Sequence, residues 1–343
     1  MESCVSPDWK TTGNAIVMGM SRSGSSLTTS IVASVFGPGP EVWRGGGKEY
    51  PPDENNPRGY FERKDVIALN YQTISAAGER WWVFPSGFAS APRALMNATT
   101  RGLPAAGTFR MRAAPIIADM NAHASAQRNP WVLKDVRFAR TLPLWRPLLS
   151  ERLVCLIPIR HPSEVAASSR MSMTDRMMLW QNYMLAALAT ARSLRCPTML
   201  IAYERWMLNN STSAGTVTGG VGGGAGSGGS GVGSGHLERS AADDQLATLV
   251  HFMRCAGLRV PSDPPYAKLR QLIQPSQYHK RVDLSQVSPK LPVSVACLWE
   301  ELRSARALHW NWDEKAGRFK QPPCVGGRRP WTQLLQQAVH YSF

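Results

Sequence analysis

Residues 19–27 read GMSRSGSSL and overlap the end of an apolar run, AIVMGM, that begins at Ala15. The usual loop for a nucleoside triphosphate is G-x-x-x-x-G-K-[ST]. Gly19 and Gly24 keep its glycine spacing and Ser26 takes its hydroxyl position, but Ser25 stands where the lysine belongs. The one cation, Arg22, lies inside the loop. A glycine-bracketed turn that runs from a strand into a helix aims several backbone amides, here through Leu27, at one point. The helix terminus adds partial positive charge at that point. Ser23, Ser25 and Ser26 supply hydroxyls, and Arg22 can grip an oxyanion through two parallel hydrogen bonds. Such a loop holds a phosphate without the lysine. The missing lysine argues against an ATPase or GTPase, where that side chain reaches the β- and γ-phosphates.

Outward from the loop, four short apolar runs read as buried parallel strands: AIVMGM from Ala15, WVLKDV from Trp131, LVCLIPI from Leu153 and TMLIAYE from Thr198. Helical patterns follow most of them. Leu27, Ile31 and Val35 share one face of a helix that Gly37-Pro38 stops. Ser163 is positioned as the N-cap of a helix running through Arg170. Between Asp175 and Arg195, the residues Met177, Trp180, Met184 and Leu188 form an apolar stripe that reads as core. Strands alternating with helices predict an α/β fold, a parallel β-sheet flanked by helices of the P-loop nucleotide-binding type. The expected organisation is an N-terminal tail, 1–13, and a single domain over 14–343. A Gly/Ser-rich insertion at about 211–240 interrupts that domain, and its composition offers nothing to bury.

The chain has 343 residues, 43% of them hydrophobic, which suffices for one large core or two modest ones. Its formal charge of +15 suits an anionic partner such as a polyanionic sugar or a phosphate-rich cofactor. The basic residues are scattered rather than gathered into a tail, so no nucleic-acid partner is expected. Cys4, Cys155, Cys196, Cys255, Cys297 and Cys324 show no C-x-x-C pair. They read as thiols in a reducing compartment, with no metal site. No targeting segment and no membrane span is visible, so a cytoplasmic location is expected. Asn97, Asn209 and Asn210 stand in sequons that a lumenal location would expose to glycosylation.

A second constellation lies in LIPIRHPSEVAASSR: Arg160 ends a strand and Ser168 follows eight residues later. An arginine at a strand end and a serine on the next helix can converge on a second phosphate, or can simply cap that helix. Together, GMSRSGSSL and RHPSEVAAS resemble the P-loop sulfotransferases. NPRGYFERKDVIALN from Asn56 is similar to that group's N-P-x-G-Y-F-E segment. LKDVRFARTLPLWRPLL from Leu133 is similar to its K-D-P-R-x-x-x-x-L-P-x-W segment. TMLIAYERW resembles its strand ending in Tyr-Glu. Order and spacing hold from about residue 14 to 207.

The resemblance implies a transferase that moves a sulfuryl group from 3′-phosphoadenosine-5′-phosphosulfate (PAPS) to a hydroxyl acceptor, a carbohydrate or small molecule, without a metal and leaving 3′,5′-ADP. It places Arg22, Ser23, Gly24, Ser25, Ser26 and Leu27 on the 5′-phosphosulfate, Arg160 and Ser168 on the 3′-phosphate, and Tyr203 by the adenine. Arg22 and Lys134 would stabilise charge growing on the bridging oxygen. The histidine base of cytosolic members falls at Val136, which also replaces the family's proline. Glu62 is then the first candidate for the base, unless it pairs with Arg58 or Arg63. Asp135 is the second, unless it only holds Arg22 or Arg137. Glu49 and His161 come after. Two other readings stay open: a magnesium-dependent P-loop kinase acting on a small hydroxyl, and a non-catalytic protein that binds 3′,5′-ADP or a sulfated glycan. The acceptor pocket is expected within residues 79–129, with Trp81, Trp82 and Phe84, and Arg328 and Arg329 could return to the 3′-phosphate.

Overall fold

The computed structural model describes residues 13–36, 49–54, 56, 59–80, 105–127, 130–149, 152–168, 172–207, 240–273, 291–304, 312–313 and 318–319. The Gly/Ser-rich insertion up to residue 239, Trp81, Trp82, Phe84, the three sequons, Arg328 and Arg329 lie outside them.

Each of the four expected strands forms: β1 (Asn14–Val17), β2 (Trp131–Lys134), β3 (Leu153–Ile159) and β4 (Thr198–Ala202). They pair in parallel in the order β2-β1-β3-β4. Their apolar continuity follows from burial on both faces, since a parallel sheet is covered by helices on each side. Alternate residues serve two separate cores. Ile16, Leu133, Cys155 and Ile157 point to one core, with Trp145, Trp180 and Tyr183. Ala15, Val17, Val132 and Leu156 point to the other, with Ile31, Val35 and Leu249.

The helices on these faces are α1 (Ser25–Phe36), α2 (Lys64–Ala76), α3 (Ala105–Gln127), α4 (Phe138–Trp145), α5 (Pro162–Ala167), α6 (Met173–Ser193), α7 (Tyr203–Met207), α8 (Ala241–Cys255), α9 (Tyr266–Leu272) and α10 (Val293–Ser304). The predicted stripe on α6 is core, with Met177, Trp180, Met184 and Leu188 all buried. After β1 the chain crosses to β2 on one side, and after β2 it crosses to β3 on the other. The carboxyl end of β1 therefore faces the crevice where connections diverge, the usual ligand site of such sheets. The loop 19–24 occupies that position.

Three expectations change. The helix after β3 starts at Pro162, so its N-cap is His161, whose Nδ1 accepts from the Ser163 amide at 3.3 Å. Proline at the first helical position fixes that register. The helix ends at Ala167, where Ser168 is the C-cap. Tyr203 does not end the fourth strand but begins α7. The largest change concerns the cysteines: Cys155 and Cys196 form a disulfide, with Cα atoms 6.0 Å apart. They are 41 residues apart in sequence, but the parallel register Cys155↔Thr198 brings Cys196 alongside β3. Cys255 is disulfide-bonded as well. The cysteines thus give no support to a reducing compartment.

Among the described residues, no helix is long and apolar enough to cross a membrane. Nor does any group of three or more His, Cys, Asp or Glu stand ready to hold a metal ion there.

Candidate phosphate-binding site

The loop has the backbone its glycines predict. Gly19 and Gly24 hold φ of 131° and 89°, and Arg22, between them, holds 70°. A non-glycine residue at positive φ is uncommon and costly, and is held there only where the surrounding structure fixes it. The hydrogen-bond ladder of α1 opens with the Thr28 amide donating to the Gly24 carbonyl at 3.0 Å. The amides of Ser25, Ser26 and Leu27 thus have no partner within the helix. At the base of the loop, the buried hydroxyls of Ser23 and Thr28 find no hydrogen-bond partner among the described residues. Buried hydroxyls are normally satisfied, so this cradle fits an oxyanion. Tyr203 closes one side: a Cβ on Gly24 would lie 2.3 Å from its ring. Gly24→Ala is therefore expected to lower the melting temperature, because strain at positive φ costs about 1–3 kcal/mol and the new Cβ would meet the Tyr203 ring. A variant that melts like the parent would show that the ring gives way.

The lysine missing from the loop arrives from the neighbouring strand. Lys134 ends β2, beside β1 in the register Val17↔Lys134. Its Nζ donates to the Tyr60 carbonyl at 2.8 Å and to Ser26 Oγ at 3.3 Å, and pairs with Glu62 Oε1 at 2.7 Å. Ser26 also receives Asn56 Nδ2 at 3.1 Å and donates to the Tyr60 carbonyl at 3.4 Å. Asn56 and residues 59–62 are thus set against the loop mouth. Their path is set by positive φ at Gly59, 95°, and at Phe61, 56°. Tyr60 anchors the outside of this turn on both oxygens of Asp53 at 2.9 and 2.7 Å. Burial and the Asp53 carboxylate push its hydroxyl up to about 12.

Glu62 pairs with Lys134 rather than with Arg63, which is bound to Asp65 and Asp119; Arg58 lies outside the described residues. Asp135 points the other way. It is fully buried, with Oδ1 accepting from the Arg137 amide and guanidinium, each at 2.9 Å, and Oδ2 from Asn70 at 2.8 Å. Asn70 continues inward to Thr141 and Trp145. Asp135 therefore holds Arg137, not Arg22, and locks the turn that follows Lys134. Burial works against the Arg137 charge, but Asp135 outweighs it and raises the guanidinium's pKa. Glu62 adds to the same effect.

On the opposite flank, Arg160 directly follows β3, with Nε on Glu164 at 2.9 Å and NH1 on the Arg22 carbonyl at 3.3 Å. Its guanidinium lies 4.7 Å from the centre of the Tyr203 ring, within cation–π range. Arg22, Gly24, Arg160 and Tyr203 are thus brought together. Ser168 is engaged with its own helix, donating to the Val165 carbonyl at 2.8 Å. His161 caps α5 and meets Trp299 edge to face at 5.0 Å. Glu49 forms a β-bridge with Arg63.

Sequence reasoning passed over Arg176. This α6 residue is buried, and its NH2 donates to Ser21 Oγ at 2.7 Å. The signal was present: Arg176 precedes Trp180 by four residues, which puts a cation on the apolar stripe. Glu164, the partner of Arg160, was likewise readable as a carboxylate at i+4.

No protein-family model matches the chain, and no curated protein matches it. Among solved structures it is similar to a sulfotransferase from Mycobacterium tuberculosis H37Rv, at 12% identity and a TM-score of 0.35, over 80% of this chain and 75% of that one.

Proposed function

We propose that the chain is a sulfotransferase that takes its sulfuryl group from PAPS and delivers it to a hydroxyl acceptor of carbohydrate or small-molecule class. The observation that carries this reading is the meeting of Ser26, Lys134 and Glu62 at the mouth of a loop lacking its own lysine. A cation that enters from the side, paired with a carboxylate, suits in-line transfer away from a phosphate. It is not the clamp on a triphosphate tail that a loop lysine provides.

When bound, PAPS supplies an activated sulfuryl group. Residues 22–27 would hold its 5′-phosphate, with the amides of Ser25, Ser26 and Leu27 as donors, and Arg160 and Tyr203 would receive the adenosine end. As the S–O bond to the phosphate breaks, Arg22 and Lys134 stabilise the negative charge on the departing oxygen. The acceptor oxygen forms the new bond to sulfur, and its proton passes to Glu62. Lys134 holds Oε1 of that carboxylate, leaving Oε2 for the acceptor. The Cys155–Cys196 bond fits an oxidising compartment better than the cytoplasm.

Incubation with PAPS and a panel of hydroxyl acceptors in the presence of a chelator is expected to give a sulfated product and 3′,5′-ADP. Transfer seen only with a nucleoside triphosphate and magnesium would assign the chain to the kinases. Stable binding of 3′,5′-ADP without turnover on any acceptor would assign it to the non-catalytic binders. Arg160→Ala is expected to weaken 3′,5′-ADP by about tenfold or more, since a charge-assisted bond is worth about 1.5–3 kcal/mol. It should change 5′-AMP little, and titration calorimetry compares the two. Equal loss for both nucleotides would remove Arg160 from the 3′-phosphate.

A further inference from the structure

Glu62 has an aromatic neighbour that the reaction above does not use. The Tyr50 amide donates to the Glu62 carbonyl at 3.0 Å, and Glu49 and Arg63 form the antiparallel bridge beside that bond. Tyr50 therefore stands directly opposite Glu62. Directly opposite residues of an antiparallel pair project to the same face, with Cβ atoms about 4.5–5.5 Å apart. Tyr60 reaches that face as well, since its ring meets the Tyr50 ring edge to face at 6.4 Å. The Tyr60 hydroxyl is bonded to both oxygens of Asp53, so the ring that braces Tyr50 is itself held in place.

Tyr50 nevertheless stays 45% exposed. Single exposed apolar side chains are ordinary, but this one is braced, and it stands opposite the carboxylate that is to receive the acceptor's proton. Its described surroundings are polar. Asp53 is exposed, and the half-buried Asn56 accepts at its amide from Asp53 no charge but donates to Asp53 Oδ1 at 2.9 Å, while its side chain reaches Ser26 at 3.1 Å. An apolar alcohol is held by apolar enclosure, and a lone ring with a polar rim does not supply that. A pyranose suits both parts. The C–H groups on one of its faces carry partial positive charge and lie well against the negative face of an aromatic ring. Its hydroxyls meet the polar rim.

We propose that Tyr50 is the stacking platform of the acceptor subsite, and that the acceptor is a saccharide seated with one pyranose face on Tyr50 and a hydroxyl toward Glu62. The proposal rests on the sulfotransferase reading above and narrows its acceptor from hydroxyl compounds at large to sugars.

Steady-state kinetics with PAPS test it on two sets of probes: lactose, diacetylchitobiose, maltotetraose and a chondroitin tetrasaccharide against nitrophenol and cyclohexanol. At least one saccharide is expected to be sulfated. For that saccharide Tyr50→Ala should raise KM about tenfold, the loss of one aromatic contact, while kcat and 3′,5′-ADP affinity change less than about threefold. Tyr50→Phe and Tyr50→Trp, which keep a ring, should stay near the parent. Where Tyr50→Ala does not fold, Tyr50→Leu keeps the apolar bulk without the ring and carries the same comparison. Sulfation of nitrophenol or cyclohexanol alone would overturn the proposal. So would a saccharide KM that Tyr50→Ala leaves unchanged, or a loss confined to kcat, which would make Tyr50 a support for Glu62. If PAPS is not turned over, saturation-transfer NMR reads saccharide binding directly. A saccharide signal that Tyr50→Ala abolishes, in a parent that binds no 3′,5′-ADP, would keep the platform and reject the donor reading. A parent that binds 3′,5′-ADP but gives no signal with any of the saccharides would do the reverse.

Discussion

Glu62→Gln is expected to lower kcat by about 10²–10⁴-fold, the usual contribution of a general base, while 3′,5′-ADP binds as tightly as to the parent. Glutamine keeps the length of the side chain and can still accept from Lys134 through its carbonyl, but it cannot take the acceptor's proton. The nucleotide affinity separates this effect from damage to the loop, because Glu62 touches the loop only through Lys134. Asp135→Asn is the comparison. Its carboxylate is enclosed by Arg137 and Asn70, so its loss should appear first as a lower melting temperature. Near-normal turnover in Glu62→Gln together with a collapse in a well-folded Asp135→Asn would transfer the base to Asp135. Normal turnover in both would direct attention to His161 or to a base on the substrate.

Lys134→Ala should cost about 10²–10³-fold in kcat, the scale seen when one preorganised donor to a developing oxyanion is removed. Because the stabilised charge appears only as the bond breaks, kcat and kcat/KM should fall together with little change in KM. Lys134→Arg should recover part of the rate, since it keeps the charge but not the single-point geometry. A raised KM with unchanged kcat would mean that Lys134 only binds the ground state. The two variants are coupled: Lys134 and Glu62 lie within 2.7 Å of each other. The double variant should therefore lose less than the product of the single losses.

Most of the sheet was readable because buried parallel strands are apolar without interruption, as AIVMGM and LVCLIPI are. The loop was readable because positive φ demands glycine at positions 19 and 24. What could not be read was set by register. Nothing local says that Lys134 will stand beside Ser26; the pairing of Val17 with Lys134 decides it. The Cys155–Cys196 bond hides in the same way behind the pairing of β3 with β4. The end of α5 was misjudged because Ser168, Ser169 and Arg170 carry no glycine or proline to mark a stop. Its start was recoverable, since Pro162 at the first helical position makes His161 the cap. Arg176 was missed because the stripe on α6 was read for its apolar members alone.

The disulfide also has a topological meaning. It closes a covalent ring from Cys155 to Cys196, and that ring contains Arg160, Glu164, Ser168 and Arg176. Among the described residues, Arg160 and Arg176, which reach the loop from beyond β3, are thus carried on one cyclised segment, whereas Arg22, Glu62 and Lys134 precede it in the chain. Closing 41 residues removes loop entropy worth about 4 kcal/mol from the unfolded chain. Because it acts through the unfolded chain, that stabilisation belongs to the folded sheet as a whole and not to the ring alone. Reduction is therefore expected to lower the melting temperature of the whole sheet, with Arg160 on one flank of the loop and Lys134 on the other losing their places together.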